Sequence, residues 1–285
     1  MSELKEHEYI IEPNRNWVSV DWREILGYRD LLYLLVRRDF VSKYKQTILG
    51  PVWFVVQPLL TTAVFVVIFA RVARISTDGL PPILFYLSGL LIWSYFAQSA
   101  TGVSTSLTSN ANLFNKVYFP RLVVPISMVV SNLIAFCIQF AVFLSIFVYY
   151  KYGTAAGESI NPGLTVLTLP LLVAQALATG LGIGLIAASL TAKYRDLTHL
   201  TSFLIQLGMY ATPIIYPLSV ISEKWRPLVA LNPLSAIVES LRYSFFGTGT
   251  TELRTMLVSV VITLVLLLAG VLLFNRAERT FVDTV

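Results

Sequence analysis

The side chains that most often carry nucleophilic, acid–base or metal chemistry are nearly missing from the apolar bulk of this sequence. Two histidines and one cysteine occur in 285 residues. His199 stands alone beside an apolar stretch, where an interfacial packing role is expected. Cys137 lies inside an apolar run with no second cysteine to bridge, and is expected to be a small buried hydrophobe. The acidic residues are scattered outside the apolar stretches, with no paired carboxylates and no ligand-spaced cluster. A Gly-x-x-x-x-Gly-Lys-Ser/Thr loop is also missing; the nearest string, Gly153 to Ser159, lacks both the spacing and the lysine. No catalytic residue, no metal site and no cofactor bound by the chain itself are therefore expected.

Neutral polar residues remain inside the apolar stretches: Gln57, Ser88, Gln98, Asn132, Gln139, Gln175 and Gln206. Asn132 and Gln139 lie seven apart and share a helix face. They can bond between helices, or line a path for an uncharged or polyhydroxylated substrate. Aromatic residues make up 13% of the chain. Tyr86, Trp93, Tyr95, Phe96 and Tyr210 form either a belt and core or, with the two polar residues, a channel lining in which amphipathic rings meet sugar faces.

The elements that must position these groups follow from composition. At 56% hydrophobic and 13% charged residues the chain is too apolar for a soluble domain, where the apolar share is roughly 45–50%. Six stretches are long and free of Asp, Glu, Lys, Arg and His: 52–70, 83–103, 122–150, 164–190, 201–217 and 256–274. Runs of roughly 20 such residues cross a hydrocarbon core of about 30 Å as helices, because lipid offers no partner to open backbone groups. The fold class expected is an all-α membrane protein of six transmembrane helices. The fifth stretch is short and carries Pro213 and Pro217, so it is expected to be kinked or broken. The charge-free spans also argue against proton coupling, which needs a titrating group at depth.

An even number of spans places both termini on one side. Of the 21 basic residues, fourteen fall on that side and seven on the other, which makes the termini cytoplasmic. The net charge of +5 suits anionic lipid headgroups; no basic stripe or reading motif suggests nucleic acid. The whole of 1–285 reads as one permease-like unit, with a cytoplasmic amino terminus over 1–51, the bundle over 52–274 and a cytoplasmic tail over 275–285.

Ahead of the bundle, Asp21 to Lys45 carries Trp22, Ile25, Leu26, Leu32, Tyr33, Val36 and Phe40 near helical spacing, which predicts an amphipathic helix at the membrane surface. Between the fifth and sixth stretches, Asn232 can cap a helix that starts with Pro233 and ends at Gly247, predicting a re-entrant or interfacial helix that either shields the bundle or closes an exit. Ala176, Gly180 and Gly184 recur every four residues in the fourth stretch, a pattern for close helix packing within the chain or at a subunit contact.

Several strings carry a family likeness. Gln46, Thr47, Leu49, Gly50, Trp53, Gln57 and Pro58 stand at the start of the first stretch, and Asn112, Leu113, Asn115, Lys116, Val117, Phe119, Pro120, Arg121 and Pro125 ahead of the third. Thr212, Pro213, Ile214, Tyr216 and Pro217 are followed by Asn232, Pro233, Glu239 and Arg242. Together they resemble the permease subunits of ABC-type polysaccharide exporters, the family that moves O-antigen, capsule or teichoic acid chains.

The resemblance implies a homodimeric inner-membrane permease for a lipid-linked glycan, with a separate nucleotide-binding subunit that carries ATP and magnesium. It further implies that an interface helix bearing Arg37 and Arg38, and the loop bearing Asn115, Lys116, Phe119 and Arg121, dock on that ATPase. Asn232, Pro233, Glu239 and Arg242 would belong to gate helices on the far side. A permease for small lipophilic drugs and a membrane scaffold are the alternatives, the first because drug exporters share parts of the pattern.

Overall fold

A computed structural model describes residues 22–282 apart from 44, 46, 115, 195, 250 and 251, with the backbone alone at 22 and 279–282. Asp21, Gln46 and Asn115, named above, lie outside the described residues. Every regular element described is helical. The predicted amphipathic helix is two: α1 (Trp22–Gly27) and α2 (Arg29–Ser42), with Tyr28 at the junction. Ile25 and Leu35 turn inward, whereas Leu26 and Tyr33 of the expected apolar face are 69% and 67% exposed.

The first span runs over Gly50–Val72, as α3 (Trp53–Phe65) followed by a π-helical segment. Next come α4 (Pro82–Ser104), the short α5 (Ser106–Ser109) and α6 (Ala111–Phe114), and α7 (Val123–Gly153). After these follow α8 (Leu169–Thr191) and α9 (Leu197–Gly208), then α10 (Arg226–Ala230), α11 (Pro233–Phe246) and α12 (Leu253–Val282). Among the described residues five helical spans are long and apolar enough to cross a membrane. The segment expected as a fifth span is broken, in line with its prolines: α9 has 12 residues, about 18 Å of helix, and turns follow up to Pro217. Pro213 has no N–H for Met209 to accept, so the helix cannot run through it.

α4 is the centre of the bundle. Of its most apolar window 78% is buried, against 11% for the first span, whose outer face is left to lipid or to another chain. α8 is sandwiched between α4 and α12, and its small residues are the reason it fits. A Cβ on Gly180 would sit 3.2 Å from Ser99 Cβ, and one on Gly184 would sit 2.6 Å from Val103 Cβ, both on α4. A Cβ on Gly182 would lie 2.8 Å from the backbone of Leu266 and Leu267 on α12. The small-residue pattern thus serves packing inside the chain.

Polar groups reinforce the α8–α12 contact: Gln175 donates to Ser259 Oγ at 2.6 Å, and the hydroxyls of Thr179 and Thr263 pair at 3.1 Å. Such bonds are worth about 0.6 kcal/mol on average in a membrane, so they set register more than they hold the fold. Backbone cannot step aside for a new methyl, and overpacking costs about 1–3 kcal/mol. Gly182→Ala is therefore expected to lower the unfolding midpoint of the detergent-purified protein, while Gly27→Ala, with nothing within 4 Å of the added carbon, leaves it in place; scanning fluorimetry checks both.

Cys137 corrects its expectation: it faces outward from α7. Its neighbours Phe136 and Ala135 take the inward positions instead, since only part of the helix circumference can face the core.

Candidate functional site

Hydrogen bonds sort the polar residues into two ends of the bundle. At the end that carries both termini of the described chain, α2 is bound to the segment after α4. Arg38 Nη2 donates to Asn110 Oδ1 at 3.2 Å and pairs with Asp39 Oδ1 at 2.8 Å. Arg37 points away from the bundle and is exposed. The Tyr28 hydroxyl donates to Tyr118 O at 3.5 Å, a second tie between the same two segments. Exposed ion pairs contribute only about 0–1 kcal/mol, and this one joins neighbours on α2, so the Arg38–Asp39 contact positions the guanidinium for Asn110 and adds little to the docking of the helix.

Within the loop, the residues proposed for one surface divide by burial. Lys116 is exposed, as are Val117 and Tyr118, the last at 75%. Phe119 is 5% exposed and tilts against Phe114 with ring centroids 5.6 Å apart. Arg121 is not free either: it donates from Nη1 to Glu278 O at 2.8 Å, approaches the Glu278 carboxylate at 3.7 Å and lies over the Phe114 ring at 5.4 Å. Phe119 and Arg121 therefore shape the loop and hold it to the end of α12, and Lys116 to Tyr118 are what the loop presents.

Lys43, which closes α2, was not singled out in the sequence. Its Nζ donates to Asn132 Oδ1 at 2.6 Å, so a surface helix reaches into a membrane span. Burial holds the ammonium below the usual lysine range, and Asp39 pulls it back up. No linear signal marks the pair, because its members are 89 residues apart. Asn110 and Glu278 escaped notice for the same reason.

The opposite end is organised by α11. Asn232 has extended backbone and its side-chain oxygen accepts from Leu234 N at 3.1 Å; Pro233 supplies the first turn and Gly247 ends the helix at φ 71°. That is the cap, proline and glycine order expected of it. The helix is largely buried, with Phe245 and Phe246 packed on Phe143 and Phe147 of α7.

Arg242, 2% exposed, forms the hub. It donates to Pro213 O at 2.6 Å, to Ile214 O and Phe85 O at 3.2 Å each, and to Glu239 Oε1 at 3.3 Å. Its guanidinium also lies 3.6 Å from the centre of the Phe85 ring. The carbonyls of Pro213 and Ile214, left open by the broken helix, and that of Phe85 in the first turn of α4, which also accepts from Ser88 Oγ, are thus joined by one planar fork, which a lysine could not match. Asn232 adds a bond to Thr212 Oγ1 at 2.8 Å. The four residues named for this end all belong to one assembly, although their spacing alone did not disclose that the broken segment was what they held.

The candidate lining residues are placed differently. Tyr86, Trp93, Tyr95 and Phe96 are each 7% exposed or less, within the packed core around α4. Asn132 and Gln139 are buried on α7, and Tyr210 alone of the set is open, at 53%. Asn132 borders a cavity between α2, α4 and α7, and a substrate reaches the other five buried residues only where helices part.

The family model described as "ABC-2 type transporter" matches residues 30–246. The O-antigen export system permease protein RfbA of Myxococcus xanthus is 32% identical over 92% of this chain and 98% of its own length. An O-antigen export permease of Klebsiella pneumoniae is 30% identical over 93% and 99%. The polysialic acid transport protein KpsM of Escherichia coli is 23% identical over 88% and 94%.

Proposed function

This chain belongs to the ABC-2 type transporter family, and on that premise we propose that it is the membrane permease of a polysaccharide exporter of the O-antigen kind. Two copies form the channel, a separate ATP-binding subunit supplies the work, and the cargo is a glycan on a lipid carrier in the cytoplasmic membrane. The relatives named above, all polysaccharide export or transport proteins that match it nearly end to end, support the substrate class over a drug.

The observation that carries the reading is the division of labour between the ends. The six apolar stretches hold no Asp, Glu, Lys, Arg or His, which argues against a proton relay within them and for work delivered from outside the bundle. The termini end instead presents α2 and the exposed Lys116 to Tyr118 on segments bound to each other and to α12. A push on that surface passes through Lys43 into α7 at Asn132. Both termini are then cytoplasmic, and α10 and α11 are the gate helices of the far side. The unburied face of the first span, together with Tyr210 and the outer side of α9, is where the second copy sits.

The test is reconstitution of the chain with its ATPase in liposomes containing the lipid-linked glycan. Hydrolysis is expected to rise several-fold with glycan and to be lost when the ATPase subunit is omitted. Glycan movement without any ATPase would sink the reading.

A further inference from the structure

A cavity of about 560 Å3 opens between the end of α2, the last turns of α4 and the first half of α7. Its size is in the range of small-molecule sites, roughly 300–1,000 Å3. It has both kinds of hydrogen-bonding partner to offer. Lys43 spends one N–H on Asn132 and keeps two. Arg38 occupies Oδ1 of Asp39, while Oδ2 is buried with no partner, and so is Ser131 Oγ. Gln98 lines the wall with a free amide, and Met128 and Ala97 provide an apolar patch.

We propose that this cavity receives a sugar ring of the exported glycan at the cytoplasmic mouth of the permease, an inference that rests on the polysaccharide-export reading above. A hydroxyl both donates and accepts, so one ring can accept from Lys43 and bond the Gln98 amide in either sense, and it can donate to Asp39 Oδ2 when the carboxylate turns from its buried position into the cavity. Its C–H face has Met128 and Ala97 to lie on. A phosphate, which only accepts, would leave Asp39 Oδ2 unpaired and set like charge against it. The wall nearest the ring is α2, so the sugar sits on the element proposed to meet the ATPase, and Lys43 joins the two through Asn132.

The test uses the full complex with its ATPase in liposomes, in a Cys137→Ser background, with a cysteine at Gln98 or Thr101, both on the cavity wall, and a control cysteine at Tyr152, 81% exposed at the other end. Two probes are added separately: oligosaccharide released from the cell's own lipid-linked glycan, and inorganic diphosphate. The oligosaccharide is expected to slow maleimide labelling at 98 and 101 several-fold and leave 152 unchanged. Gln98→Ala is expected to raise the glycan concentration giving half-maximal stimulation of hydrolysis about tenfold, the scale of one well-made buried hydrogen bond. Protection by diphosphate and not by sugar overturns the proposal in favour of an anion site, and no protection by either overturns it outright. If the wild-type complex ignores the glycan altogether, the export reading itself fails; if only the cysteine and Gln98→Ala results are negative, export stands and the sugar site falls.

Discussion

Arg242→Met is expected to destabilise the protein by about 3–5 kcal/mol, the usual effect of removing one partner from a buried ion pair. Glu239 would be left 4% exposed with no counter-charge, and the carbonyls of Pro213 and Ile214 would lose the guanidinium together, while Phe85 O would keep only its bond from Ser88 Oγ. Arg242→Lys should rescue little, because one ammonium cannot span the donors' positions that a guanidinium covers. Arg242→Met with Glu239→Gln should recover part of the loss, since it removes the stranded charge while the carbonyls stay open. Thermal unfolding of the purified protein in detergent reads all three. A change under about 1 kcal/mol in the single variant would mean that water or lipid already serves these groups, and that the hub does not hold the broken segment.

Lys116→Glu should leave insertion and thermal stability unchanged and cut export tenfold or more. Lys116 is exposed and its side chain has no hydrogen bond or ion pair among the described residues, so reversing it removes no side-chain contact seen there. A charge reversal at a docking surface sets like charges together, and each 1.4 kcal/mol is a factor of about ten in binding. Arg121→Glu separates the two roles of the loop. It puts a carboxylate against Glu278, 3.7 Å from the present guanidinium, and should lower the unfolding midpoint as well as export. Pull-down of the ATPase with each variant gives the answer: wild-type binding by Lys116→Glu removes the docking role of the loop.

What could be read in the sequence was whatever depends on near neighbours along the chain. The long uncharged stretches predicted helices because a backbone in lipid must satisfy itself, and five of those spans stand as described. Pro213 and Pro217 predicted the break after α9, and Asn232, Pro233 and Gly247 predicted both ends of α11, since caps and prolines act within a turn or two. The lack of charged residues inside those stretches was likewise a property of composition alone, and it argued against proton coupling before any helix was placed.

Only the tertiary structure decided which of those helices is central and what the polar residues are for. Arg242 and Phe85 are 157 positions apart, Lys43 and Asn132 89, and Arg121 and Glu278 157. Such pairs leave no periodic trace, because a bond between helices depends on how each is rotated and crossed. For the same reason Arg121 looked like a free docking cation and proved to be held by α12, and Cys137 looked buried and proved to face outward. The aromatic residues of α4 are core in a single chain for a reason no window could show: α8 and α7 close over that helix, and glycines at 180 and 184 let α8 approach so near.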